Sequence, residues 1–234
     1  MQARTAEHPL ASDTDLRFSA VLQARARDAK RKTERTRNRL LASLAEQLTS
    51  GIDRRDLKVA AVTAAADLAH GTFYRYFDDI RTATDALIED FARFLRATLS
   101  SRRDGDPGSR DRVRGTSLVY ARLFADNAAL MKCLFDMGSE SSAFARSYQE
   151  LNRSWYERMA MAIARHRSER GDAATPEDAL PVAYALGGMA DEFLTQVHLR
   201  KAPALAHYAA DPDAVADLLT DLWLKGAYGS VSPS

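Results

Sequence analysis

Apolar residues recur along most of this chain at spacings of three and four, the signature of helices with one buried face. Leu40, Leu41, Leu44 and Leu48 predict a helix over residues 33–49, stopped by Gly51. Val59, Val62 and Ala66 predict a short helix behind Asp56, whose carboxylate is placed to accept a first-turn amide. The pattern breaks at Ala66-Asp67-Leu68. So tight a turn calls for a left-handed backbone, and Asp is among the few types besides Gly and Asn that adopt one at modest cost. A second short helix is expected over residues 69–76, with Leu68, Phe73 and Phe77 inward and His70, Gly71, Thr72, Tyr74 and Arg75 outward. Ala83, Leu87, Phe91, Phe94 and Leu95 predict a helix over 81–100, and the Gly-, Pro- and Asp-rich stretch 101–109 predicts a loop. Further helices are expected over 111–125, 128–137 and 142–170, then over 177–200, with Thr175 and Pro176 as the opening signal, and over 213–226. The expected fold class is all-α.

Charge sharpens this picture. The net charge of +1 is uninformative, but residues 25–39 hold eight basic and two acidic side chains, leaving 25 basic and 30 acidic elsewhere. A basic block directly ahead of two short helices is the electrostatic footprint of a phosphate-binding segment. A short helix with small, hydrogen-bonding and aromatic residues outward, anchored by its apolar side, suits the major groove. The other reading of Phe73, Tyr74 and Phe77 is as ordinary core aromatics of a bundle. Residues 1–24 are expected to be poorly ordered, although Leu16, Phe18, Val21 and Leu22 hint at a helical turn that docks. Residues 25–32 follow as a basic arm or a helical extension.

The run V-A-A-V-T-A-A-A-D-L-A followed by G-T-F-Y-R-Y-F resembles the helix-turn-helix of TetR-type (tetracycline-repressor-like) transcriptional regulators. The likeness is close from Arg35 to Phe77 and one of architecture beyond it. The chain departs from the family at Asp67, where Gly is usual, and at Ala69, where Ser or Thr usually caps the recognition helix. It departs again at Ile80, near which a phosphate-contacting Lys is usual; Arg81 stands beside it. The resemblance implies a flexible arm over 1–32, a helix-turn-helix head over 33–80, a larger helical effector-binding and dimerisation body over 81–228, and a tail over 229–234. It implies double-stranded operator DNA as partner, met by His70, Gly71 and Thr72 at base edges. Arg35, Arg37, Arg39, Lys58, Tyr74 and Arg75 meet phosphate, with Ala69 and Arg81 at the edges of the contact.

The body reads two ways. Its Met and aromatic stripes are core first, but in the resembled family such a body commonly encloses an apolar cavity; Phe94, Tyr120, Phe124, Trp155, Met159 and Met189 are the expected lining. Mid-helix Gly187-Gly188 calls for a close neighbour. With Tyr184, Leu218, Leu222 and Trp223 it marks either a dimer interface of two helices from each copy or an intrachain core. Asp191-Glu192, beside Gly187-Gly188, reads either as a functional pair or, in preference, as an exposed or dimer-facing acidic pair. Catalytic constellations, metal-ligand spacing among the five histidines and a phosphate-binding loop are not found in the sequence. The lone Cys133 lies on an apolar stretch and reads as a buried small hydrophobe. No apolar run reaches the ~20 residues of a membrane span, and the opening residues do not resemble a secretory signal. The expectation is a cytoplasmic homodimeric repressor with no cofactor, released from DNA by a small, largely apolar ligand. The alternatives are a DNA-binding regulator without an effector and a helical small-molecule-binding protein or enzyme.

Overall fold

A computed structural model describes residues 15–100, 108–139 and 143–229. The expected loop up to residue 107, the residues before Asp15 and the tail beyond Gly229 lie outside the described residues. Among the described residues every regular element is helical.

The head comprises α1 (Phe18–Asp28), α2 (Lys32–Thr49), α3 (Val59–Ala65) and α4 (His70–Phe73), with a short 3-10 turn at Arg54–Asp56. α1 corrects an expectation. The hinted helical turn over residues 16–22 is part of a full helix from Phe18, in place of the expected flexible arm, because Phe18, Leu22 and Ala26 recur at spacing four and are buried together on α2. Its start is pinned by Asn127, which accepts from the Phe18 amide at 2.7 Å and donates to the Leu16 carbonyl at 2.8 Å. Asp56 is corrected too: it closes the 3-10 turn capped by Asp53, while α3 begins at Val59 behind Lys58, which makes no side-chain cap.

The long α5 (Ile80–Ser100) leaves the head, with Asp79 accepting from the Thr82 amide at 2.7 Å. The body adds α6 (Arg110–Asp126), α7 (Ala128–Gly138), α8 (Ala143–Glu169), α9 (Pro176–Leu194) and α10 (Pro212–Tyr228). α9 opens as expected, with a reciprocal cap between Thr175 and Asp178 and Pro176 in its first turn. The helix expected to run to 200 instead widens into a π-turn over Thr195–Leu199, and a 3-10 helix over Pro203–Ala210, unforeseen, leads into α10. α6 and α10 lie side by side, laced by Arg114 to Asp213 at 2.9 Å and Asp217 at 2.6 Å, while α9 packs mainly on α8.

One hydrophobic cluster runs from Leu40, Val62 and Phe73 in the head through Phe91 to Phe124, Leu134 and Leu219 in the body. No break in packing falls at residue 80, the expected boundary between head and body. A second cluster, including Tyr156, Ile163, Ala183 and Ala227, joins α8 to α9 and α10.

Candidate functional site

The helix-turn-helix is built from its turn. Asp67 holds φ 50°, the left-handed backbone expected of it. The turn is fastened from α2, where the Ser43 hydroxyl donates to the Val62 carbonyl at 2.9 Å. Arg39, half-exposed, donates to the Ala66 carbonyl and pairs with the Asp67 carboxylate at 3.5 Å. Phe73 and Phe77 are buried behind the recognition helix, so the side expected to face inward does so. On the other side His70, Gly71, Tyr74 and Arg75 are exposed and Thr72 is half-buried, with Tyr74 at 52% exposure despite its ring. The His70 and Tyr74 rings lie 5.6 Å apart on that surface. Ala69 occupies the N-cap position and, as its methyl dictates, makes no capping bond. Lys58, Arg81 and Arg35 are exposed, with Arg35 donating to the Ala29 carbonyl at 3.2 Å.

Two of the arginines expected at phosphate are committed within the chain. Arg37 pairs with Asp90 of α5 at 2.9 Å and lies over the Phe77 ring, 5.8 Å from its centroid. Arg39 fastens the turn. Both sit at α2 positions that face α3 and α5, which helix periodicity alone does not reveal.

The body holds a partly open cavity of about 430 Å³ between α5, α6, α8 and α9. Four of the six expected residues line it: Tyr120, Trp155, Met159 and Met189. Phe94 and Phe124 are not among them. Phe94 turns to the head, stacked on Phe18 at 5.2 Å, and Phe124 is fully buried between Phe135 and His198. Sequence reasoning missed a signal that was present. Ala92, Leu95, Arg96 and Leu99 on α5 line the wall, as do Tyr148, Asn152, Trp155 and Met159 on α8. Each set follows three- and four-residue spacing and faces one way.

Asp191 also lines the cavity, which corrects its reading as an exposed or dimer-facing acid. It accepts from the Tyr120 hydroxyl, and burial pushes its carboxyl up to about 6. Burial first, and the Asp191 charge second, push the Tyr120 phenol well up as well. Glu192 alone of the pair is exposed, bonded to Arg200 at 2.9 Å. Gly187 has a reason within the chain: a Cβ there would run into the Tyr156 ring of α8. Gly188 faces open space. Trp223, expected at a dimer interface, packs on the second core cluster and lines the cavity, Leu218 is half-buried, and Tyr184 and Leu222 are exposed. Cys133 is buried and its thiol pushed up by that burial, as a small hydrophobe would be. Among the described residues there is no cluster that could hold a metal ion, and no helix is long and apolar enough to cross a membrane.

The arrangement resembles known regulators. A TetR-like transcriptional regulator from Rhodococcus sp. RHA1 superposes with a TM-score of 0.63 at 18% identity, over 83% of this chain and 97% of that one. The regulator FadR from Bacillus subtilis, in complex with stearoyl-CoA, gives 0.61 at 14% identity, over 80% and 97%. FadR from Bacillus halodurans, a fatty acid degradation regulator, gives 0.60 at 17% identity, over 81% and 94%. No curated protein matches the chain. The family profile of the C-terminal domain of the transcriptional regulator EthR matches residues 113–229, half of the chain. With that body behind a helix-turn-helix head, the chain belongs to the TetR-type transcriptional regulators, in the family defined by the EthR C-terminal domain.

Proposed function

We propose that this regulator is a dimeric repressor that a small, largely apolar ligand releases from its operator. The observation that carries the reading is α5. Its first half packs into the head through Ala83, Leu87 and Phe91, and its second half lines the cavity through Ala92, Leu95 and Leu99. A ligand that moves this helix moves the head with it. The long-chain acyl ligand held by the structurally similar FadR of Bacillus subtilis supports an apolar occupant.

On DNA, two heads enter successive major grooves, about 34 Å apart for one helical turn. His70, Gly71 and Thr72 approach base edges, Gly71 because it has no side chain to hold the backbone away. Tyr74, Arg75, Lys58, Arg35 and Arg81 meet phosphate, which sets register and affinity but carries no sequence information. Tyr184 and Leu222 mark the face through which two copies meet. Release by 100-fold requires about 2.7 kcal/mol of differential ligand affinity between the two forms. The test is a gel-shift titration on the promoter beside the protein's own gene. Tyr74→Ala and Thr72→Ala are each expected to weaken binding, and undiminished affinity in both would sink the head assignment.

A further inference from the structure

The polar groups of the cavity wall sort into two sets. Arg158 is exposed and lies over the Trp155 ring, while Arg96 and Arg112 are half-buried. Water reaches their charge, so they ask little of a ligand. Asp191 is half-buried too, but burial presses on its carboxyl and pushes it upward. Among the described residues its carboxylate has one hydrogen-bond partner, the Tyr120 hydroxyl, and no cation pairs with it. Two more phenols, Tyr148 and Tyr156, share the wall. Burial first, then the Asp191 charge, push both upward, so they stand as neutral rings within its field. A carboxylate partly withdrawn from water without a counter-ion is unfavourable wherever it is not used. Here it lines empty volume together with Tyr120, Tyr148 and Tyr156, whose rings attract positive charge at their faces.

We infer that the cavity takes a lipophilic ligand bearing a protonated nitrogen, with Asp191 as its counter-ion and Tyr120, Tyr148 and Tyr156 packed around the cation. This rests on the reading of the cavity as the effector site. An ammonium N–H would bond the open face of the carboxylate and lie on the ring faces at once. A neutral hydroxyl would supply the bond but leave the charge, and a carboxylate would repel it. Asp191 is thus the residue that decides specificity in an otherwise permissive apolar wall.

The chain has two tryptophans, Trp155 and Trp223, and both line the cavity, so intrinsic fluorescence reads its occupancy. Decylamine, decanol and decanoate share one alkyl chain and differ only in the head group. At about pH 7.5, where the amine is charged, decylamine is expected to bind about 10-fold tighter than decanol, with decanoate weakest. Asp191→Asn leaves Tyr120 an acceptor and nearly the same volume. It is expected to remove the amine preference, so that decylamine binds no tighter than decanol. Should the variant fail to fold, the wild-type protein at about pH 5 serves instead: Asp191 is protonated there, its phenol neighbours stay neutral and the cavity arginines stay charged, so the same loss is expected. Decanol or decanoate matching decylamine, no fluorescence response to decylamine, or a preference that survives both the variant and the low pH would each overturn the inference. Operator release, followed by anisotropy of labelled DNA, separates this from the function proposed above. Selective amine binding without release defeats the repressor mechanism alone, and release by decanol or decanoate without amine preference defeats the cation site alone.

Discussion

Two adjacent carboxylates, Asp191 and Glu192, meet opposite fates: one enters an apolar cavity and the other pairs with Arg200 in water. The buried one has a consequence for stability. Its ordinary value of 3.8 is raised to about 6 in the folded chain, by burial and against the Tyr120 hydrogen bond. Between those values the folded state keeps a proton that the unfolded chain has lost. This group's contribution to stability is therefore full below about pH 4 and is lost as pH rises through about 6, by roughly 3 kcal/mol. Asp191→Asn is expected to melt above wild type at neutral pH and close to it near pH 4; a pH-independent gap between the two melting curves would contradict this. Arg37 carries a second expectation at this scale. Since it pairs with Asp90 and covers Phe77, Arg37→Ala should cost about 1 kcal/mol in a denaturant titration. It should also leave the salt dependence of DNA binding alone, whereas Arg35→Ala should lower the salt slope by about one per head.

Between residues and whole molecule, individual helices show why particular small residues stand where they do. α3 and α4 meet through a left-handed Asp67, and α2 secures that turn with Ser43 and Arg39. The glycines of α9 differ although they are neighbours. Gly187→Ala would push a methyl against the buried Tyr156 ring and is expected to destabilise by about 1–3 kcal/mol. Gly188→Ala meets open space in a helix interior and is expected to stabilise the folded chain by up to about 1 kcal/mol. Chemical denaturation of the two variants decides between these signs. If α9 also forms the proposed dimer face, Gly188→Ala should loosen self-association in the same protein that it stabilises, which sedimentation measures.

Across the molecule, a continuous core runs from Phe73 to Leu219, and in the proposed mechanism it is the route from ligand to DNA. Packed interiors do not deform smoothly, so occupancy of the cavity reaches the head as a shift of α5 and not as local slack. α1 adds to the coupling, being bound to the body by Asn127 and to α5 by Phe91 and Phe94. The two heads must also be held together. Tyr184 on α9 and Leu222 on α10 are the large apolar residues these paired helices expose, at 42% and 39%. Replacing both with Lys is expected to give a folded monomer by sedimentation and to lower operator affinity at least 10-fold, as loss of one half-site implies. An unchanged dimer would move the interface elsewhere.

Short of the full length of α1 and the 3-10 helix over Pro203–Ala210, local chemistry was enough to place most of the helices from α2 to α10, the turn at Asp67, the outward face from His70 to Arg75 and the start of α9 at Thr175. Each depends on residues within about one helical turn, and backbone sterics and apolar periodicity act over that range. The stripes along α5 and α8 were equally legible as faces. Only the tertiary structure decided what each face meets. It assigned Arg37 and Arg39 to the chain itself, turned Phe94 toward Phe18 while leaving its neighbour Leu95 in the cavity wall, and brought Asp191 beside Tyr120, 71 residues away. Periodicity says that a side of a helix is covered, but the covering atoms come from distant segments, and an ion pair or a buried carboxylate exists only once those segments have met.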